Sequence, residues 1–178
     1  KRIFWRQDRL HEREENGMKK GAVWILWALL LLTAGCGDKE DAGAETAEVS
    51  LSDIYAAMEE ACGWEEGYMT GVEGELLEEY YPELCEIPVS HLIAQVPAMS
   101  SDVNEIVLVQ CGTEEDAERA AEALQARIAR QLDGGAWYPE TQAAWEGAEV
   151  LREGTCAALI ASGAYQEDLE KQFRLQFS

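Results

Sequence analysis

One histidine and four cysteines are the side chains between residues 50 and 178 best suited to nucleophilic or metal chemistry. A single histidine, His91, excludes the common His-rich metal sites and a His-His-acid cluster. Cys85 and His91 are the residue types of a nucleophilic pair, but a six-residue spacing across Pro88 gives the two side chains no reason to meet. We therefore expect His91 to be an ordinary residue at a strand edge, and we assign no catalytic residue, no cofactor and no metal ligand.

Acidic side chains suggest two further kinds of site. Adjacent Glu-Glu pairs include residues 65–66, 78–79 and 114–115. Neighbours in sequence diverge on a helix or a strand, so these pairs do not indicate a glycosidase and are interpreted as solvated faces. The stretch SSDVNE, residues 100–105, gathers oxygen ligands of the kind that calcium prefers, but it lacks the D-x-[DN]-x-[DN]-G loop. An ordinary turn is the alternative interpretation.

The four cysteines, Cys62, Cys85, Cys111 and Cys156, contain no C-x-x-C spacing. This excludes a thioredoxin-like redox pair and a zinc ribbon. Cys111 and Cys156 lie in apolar segments, where a free thiol behaves as a small buried hydrophobic residue. Cys62 and Cys85 flank an irregular segment, and a disulfide between them is a hypothesis.

Arg127 is one of the few cations in the second half of the chain and is the candidate binding residue. Its guanidinium is suited to hold an anionic group or a partner protein, while a solvated, salt-bridged helix face is the alternative. Four aromatic residues are similarly ambiguous: Trp64, Trp137, Tyr138 and Trp145 could belong to the core or to an exposed contact patch.

The fifth cysteine, Cys36, has a different setting. Met18-Lys19-Lys20 is a short basic head before an apolar run at residues 22–32, which is the pattern of a secretory signal. Residues 33–36, Thr-Ala-Gly-Cys, look like a bacterial lipobox, in which small side chains admit a peptidase and the thiol is alkylated with diacylglycerol. The sequence therefore predicts cleavage after Gly35 and a lipid anchor on Cys36, with an uncleaved signal anchor as the alternative.

The chain divides into four segments by composition. Residues 1–17 carry charges of both signs ahead of the basic head, and we interpret them as upstream sequence that is not part of the protein. Residues 18–35 are the lipoprotein signal peptide. Residues 36–49, rich in alanine, glycine and acids, are a flexible acidic tether. Residues 50–178 are expected to form one extracytoplasmic domain on the outer face of the cell membrane.

Charge restricts the partners of that domain. The whole chain has a formal charge of −21, and residues 36–178 hold seven cations against 31 acids, which gives −24. Such a surface repels phosphate backbones and anionic lipid headgroups. Nucleic acid is therefore excluded as a partner, and attachment to the membrane is expected through the lipid rather than through charge.

Apolar periodicity predicts the elements of the domain. Helices are expected after the capping residue Ser50, over a short segment that stops at Pro82, along 113–132 with a capping box at its start, near 139–146 and over 165–175. Strands are expected over 91–96, 105–111 and the two arms of a hairpin that turns at Glu153-Gly154. The order α-β-β-α-α-β-β-α predicts an α+β fold, in which an antiparallel sheet of two β-hairpins has helices packed on one face.

Several single residues resemble those of an uncharacterised family of Gram-positive bacterial lipoproteins, catalogued only as a domain of unknown function. The residues that carry the resemblance are Pro97-Ala98-Met99, Glu105-Ile106, Arg127, Gln131, Tyr138-Pro139 and Gly154. The sequence departs from the family pattern at Tyr80-Tyr81-Pro82, where Tyr-Gly is expected, and at Thr155-Cys156, where an aromatic residue often follows the hairpin glycine. The resemblance implies an extracytoplasmic lipoprotein and no known activity.

Two classes of function remain open. The first is a non-enzymatic binding or accessory module that docks to an envelope protein or captures a small ligand. The second is an envelope hydrolase whose acid-based site leaves no trace in the sequence. The absence of any catalytic constellation favours the first. About 130 folded residues are too few for the two lobes of a solute-binding protein.

Overall fold

The computed structural model describes residues 49–98 and 102–178. Several predictions concern residues outside these ranges: the upstream extension, the signal peptide with cleavage after Gly35, the lipid on Cys36 and all but the end of the tether. Within the two described ranges, every helix is too short or too polar to cross a membrane.

Five antiparallel strands form one sheet, in the order β1-β2-β3-β5-β4. The strands are β1 (Met69–Gly71), β2 (Val89–Pro97), β3 (Asn104–Cys111), β4 (Glu149–Glu153) and β5 (Cys156–Ser162). The two predicted hairpins, β2-β3 and β4-β5, are confirmed, and β3 joins them by pairing with β5. Gly154, with φ of 55°, occupies the predicted turn between β4 and β5.

Five α-helices accompany the sheet in the described part of the chain. They are α1 (Leu51–Cys62), α2 (Glu75–Tyr80), α3 (Glu114–Arg130), α4 (Pro139–Glu146) and α5 (Gln166–Leu175). The predicted caps are confirmed: the side chain of Ser50 accepts a hydrogen bond from Asp53 N, and that of Thr113 accepts one from Asp116 N. The predicted α+β class and element order are therefore confirmed, α2 is the short helix predicted before Pro82, and β1 is an additional short strand.

The expectation that the helices pack on one face is wrong, because helices cover both faces of the sheet. A first core lies between the sheet and the helices α3 and α4, and a second core lies between the sheet and the helices α1 and α5. Successive residues of β3 alternate between them, with Val107 and Val109 in the first core and Ile106 and Leu108 in the second. Strands with apolar residues at nearly every position are typical of a sheet buried on both sides.

Candidate functional site

A buried ion pair joins the start of β3 to the last turn of α3. Arg127 Nε donates to Glu105 Oε1 at 2.9 Å, and Arg127 Nη2 donates to Glu105 Oε2 at 3.0 Å. Glu105 is 6% exposed and Arg127 is 9% exposed. The hydroxyl of Tyr81, which is fully buried, also donates to Glu105 Oε1. Both carboxylate oxygens of Glu105 are therefore engaged by neighbouring donors.

Aromatic rings surround the guanidinium of Arg127. Its Cζ lies 4.2 Å from the ring centroid of Tyr80, 5.5 Å from that of Trp145 and 5.6 Å from that of Tyr81. Burial alone would lower the pKa of Arg127, but the hydrogen bonds and charge of Glu105 outweigh burial and raise it. The guanidinium of Arg127 therefore stays charged inside an aromatic enclosure, where it forms the ion pair with Glu105.

Arg130 fixes the tyrosines beside this pair. Its Nη2 donates to the carbonyl oxygen of Tyr80 at 2.8 Å, and its Nη1 donates to Glu83 Oε1 at 2.8 Å. Since Arg130 follows Arg127 by about one turn of α3, the same helix positions the guanidinium and the segment that packs over it.

A cleft of about 740 Å³ opens above the ion pair. Its lining includes Glu105, Arg127, Gln131, Trp137 and Tyr138. Trp137 is 83% exposed and Tyr138 is 71% exposed, which is unusual for large aromatic side chains. The floor of the cleft is therefore an ion pair without net charge, and exposed aromatic side chains form its rim.

A tight turn after α3 brings that rim into place. The π-helical turn Gln131–Gly135 contains Gly134 at φ 118°, which a glycine adopts readily. The flexible end of the Gln131 side chain packs against Gly135, where a Cβ atom would lie 2.8 Å from Gln131 Oε1 and would displace that side chain. The chain then places Trp137 and Tyr138 immediately before α4.

A second depression, of about 390 Å³, adjoins the cleft where β3 begins and β5 ends. Trp64 lies against Tyr68 at 5.4 Å and edge-on to Tyr165 at 5.8 Å between ring centroids. Asn104 Nδ2 donates to the hydroxyl of Tyr68 at 2.7 Å, and Asn104 Oδ1 accepts from Ser162 Oγ at 2.6 Å. These bonds hold the aromatic cluster against the end of the sheet.

The structure places the candidate Arg127 on the floor of the cleft, paired with Glu105 rather than on a solvated helix face. The aromatic residues separate into types: Trp145 is buried, Trp64 is half-buried, and Trp137 and Tyr138 are exposed. Sequence reasoning assigned no role to Glu105. The signal was present in the resemblance, since these members of its residue set line one cleft: Pro97, Glu105, Arg127, Gln131 and Tyr138.

The thiols do not form the hypothesised disulfide, because Cys62 and Cys85 are both free. Cys111 and Cys156 are buried, as expected. Burial, with a smaller effect of Glu78, raises the pKa of Cys85, which is opposite to the shift that a nucleophile needs. Among the described residues, His91 lines a separate depression beside the start of α1, and Cys85 does not line it.

The remaining acidic candidates are not assembled into a site. The three Glu-Glu pairs are exposed, as the interpretation of solvated faces requires. In the hypothesised calcium segment, Asn104 and Glu105 are committed to the partners given above. Within residues 49–98 and 102–178, no group of three or more His, Cys, Asp or Glu side chains is placed to hold a metal ion.

The arrangement is suited to binding rather than to proton transfer. Glu105 accepts hydrogen bonds at both oxygens from Arg127 and Tyr81, and a carboxylate held in this way is a poor general acid or base. One polar group remains open at the cleft: the side-chain amide of Gln131 has no hydrogen-bond partner among the described residues.

Comparison with curated proteins and comparison with solved structures give no match. A family model described as "Domain of unknown function (DUF4358)" matches residues 63–162. This range contains both members of the ion pair and the whole aromatic rim of the cleft. Because the match covers more than half of the chain, the protein belongs to this family of unknown function.

Proposed function

We propose that this chain is a lipoprotein of the cell envelope whose domain binds a ligand in the aromatic cleft without transforming it. In this proposal the chain is cleaved after Gly35, and diacylglycerol on Cys36 holds the domain on the extracytoplasmic face of the cell membrane. The lipobox-like residues 33–36, the basic head and apolar run before them, and the acidic composition after them support the anchor.

The observation that carries the binding function is the exposed rim of Trp137 and Tyr138 beside a buried, internally neutralised ion pair. Exposed aromatic side chains next to a polar concavity are typical of recognition sites, because rigid rings gain contact area at low entropic cost. A folding role does not account for a tryptophan that is 83% exposed.

The alternative, an envelope hydrolase, needs a carboxylate that is free to exchange a proton. Glu105 is the buried acid of the cleft, and its two oxygens are already occupied. A binding module needs no such group. The geometry therefore favours a non-enzymatic role.

The proposal is tested by placing a photoreactive phenylalanine at position 137 of the full chain in intact cells. We expect covalent adducts after irradiation, because the rim contacts the natural ligand or partner. Leu175, 52% exposed on α5 at the opposite face of the sheet, is the matched control position and should give none. Equal labelling at both positions, or none at position 137, would contradict a binding role for the cleft.

A further inference from the structure

The cleft and the second depression are adjacent at the end of the sheet, and the two together are called the groove. They share the lining residues Asp102, Val103, Asn104 and Thr141. The cleft lies on the side of the first core and contains Trp145, whereas Trp64 and Tyr165 of the second depression pack on the second core. The groove therefore runs from one face of the domain to the other, which suits an extended ligand better than a compact one.

Aromatic rings stand at both ends of this groove. Trp137 and Tyr138 form the exposed platform at one end, and Trp64, Tyr68 and Tyr165 form a cluster at the other. Two separated aromatic surfaces provide stacking positions for two units of a chain-like ligand.

The charges of the groove select against anions. Arg127 is the one cation among its described lining residues, and Glu105 neutralises it. Asp102 and Glu140 add negative charge, in a segment whose formal charge is already −24. Phosphate-rich polymers and nucleic acids would be repelled, so the ligand is neutral or carries little charge.

The polar group that remains open matches hydroxyl and amide groups. The side-chain amide of Gln131 offers both a donor and an acceptor. A ligand that suits the groove therefore has flat apolar faces for the rings and neutral polar groups for this amide. Pyranose sugars have this combination, since the ring C–H groups form an apolar face and the hydroxyls lie around the edge.

From these observations we infer that the groove binds a neutral glycan chain, with one sugar on the Trp137 platform and others extending into the second depression. This inference rests on the proposed binding function and names the ligand class of the same cleft. A proline-rich peptide is the competing occupant, because such peptides also dock in aromatic grooves.

The inference is tested by calorimetric titration of the full chain in a detergent without a sugar headgroup. The probes are N-acetylchitobiose, N-acetylchitohexaose, cellohexaose and a decaproline peptide. We expect at least one hexaose to bind, with affinity about tenfold or more above that of the disaccharide, because only the longer chain reaches the second depression.

Two pairs of variants locate the bound glycan. Trp137→Ala should weaken hexaose binding about tenfold or more, whereas Trp137→Phe, which keeps a stacking ring, should stay within about threefold. Gly163→Leu should reduce hexaose affinity to the level of the disaccharide, while Gly163→Ala should not. A Cβ at Gly163 meets only Ala144 Cβ at 3.8 Å, so a longer side chain can enter the depression without displacing the backbone.

The outcomes separate this inference from the proposed function. Binding of decaproline that depends on Trp137, without binding of either hexaose, would overturn the glycan and leave a binding module. Photoadducts at position 137 with no hexaose binding would also overturn the glycan and leave a binding module. Hexaose affinity unchanged in Trp137→Ala would also overturn the glycan site. Absence of both photoadducts and probe binding would remove both proposals.

Discussion

Arg127 and Glu105 lie 22 residues apart in sequence, and two parallel hydrogen bonds join them under the cleft. One belongs to the long helix α3 and the other to the central strand β3. Their pairing therefore fixes the helix relative to the sheet at the point where the candidate ligand would lie. Planar, two-point contacts of this kind are specific to arginine with a carboxylate, because a lysine offers only a point charge.

Arg127→Leu should destabilise the domain strongly. The change leaves the buried carboxylate of Glu105 with Tyr81 as its remaining donor, and loss of one partner of a buried pair costs about 3 to 5 kcal/mol. Urea unfolding followed by tryptophan fluorescence measures the free energy of unfolding. The double variant Arg127→Leu with Glu105→Leu, which removes both charges, should be more stable than Arg127→Leu alone. A single variant within about 1 kcal/mol of the parent protein would show that the pair does not hold the fold.

The protein should lose stability as the pH rises above about 9. Burial is the largest cause that raises the pKa values of these five groups: Tyr55, Cys62, Tyr81, Cys111 and Cys156. Their ordinary values are 9.0 for cysteine and 10.0 for tyrosine, so above these values the unfolded chain gives up its protons while the folded chain still retains them. The stabilisation is fully present below the ordinary values and is lost as the pH rises through the folded ones.

Tyr81→Phe isolates one part of this pH dependence. At neutral pH it should cost about 1.5 to 3 kcal/mol, because the hydroxyl donates to a buried carboxylate. Above about pH 10 the free energy of unfolding should fall less steeply in the variant than in the parent, since one titrating group is gone. Urea titrations at a series of pH values test both points. Parallel curves for the two proteins above that pH would contradict the assignment.

The thiols should react with iodoacetamide in an order set by exposure. Cys85 is exposed and should be modified first. Cys62 is half-buried, and burial together with Asp168 raises its pKa to about 11, so it should react slowly. Cys111 and Cys156 are buried and should react only on unfolding. Peptide mass spectrometry over time gives the order, and a thiol pair that reacts only after reduction would refute the assignment of free cysteines.

Cys36→Ala should abolish lipid attachment without changing the domain. Cells fed an alkyne-bearing fatty acid should label the parent chain and not the variant, because the Cys36 thiol is the proposed acceptor. Cys62→Ala is the matched cysteine control and should label normally. Labelling that persists in Cys36→Ala would exclude the proposed anchor.

Periodicity in the sequence predicted most of the fold, because α3 repeats its apolar residues at helical spacing and β2, β3 and β5 are short apolar runs. It did not predict β1, whose residues Met69–Gly71 show no alternation and pair only along the edge of β2. Burial of both faces of the sheet was also missed. An apolar strand sequence does not indicate whether helices will cover one face of the sheet or both faces.

The site was less accessible to sequence reasoning, for a physical reason. From the sequence, Glu105 looks like a solvated residue at the end of a strand. In the folded domain, α3 places Arg127 over it, and the Tyr80-Tyr81 segment adds two aromatic rings. The residues in contact are separated by 22 and 24 positions in the sequence, so the local sequence pattern contains no information about these contacts. Arg127 was identified as a notable cation, but its partner required the tertiary structure.

The sheet ends in two short edges. β1 has three residues, and β4 has five, among which Glu149, Arg152 and Glu153 are exposed and charged. β2, next to β1, carries a register shift between Val89 and His91 that interrupts a regular edge. Short, charged or irregular edges leave little free main chain for another sheet to join. Many copies can therefore crowd together without polymerising edge to edge, which would guard against aggregation at the high local concentration that the proposed lipid anchor creates.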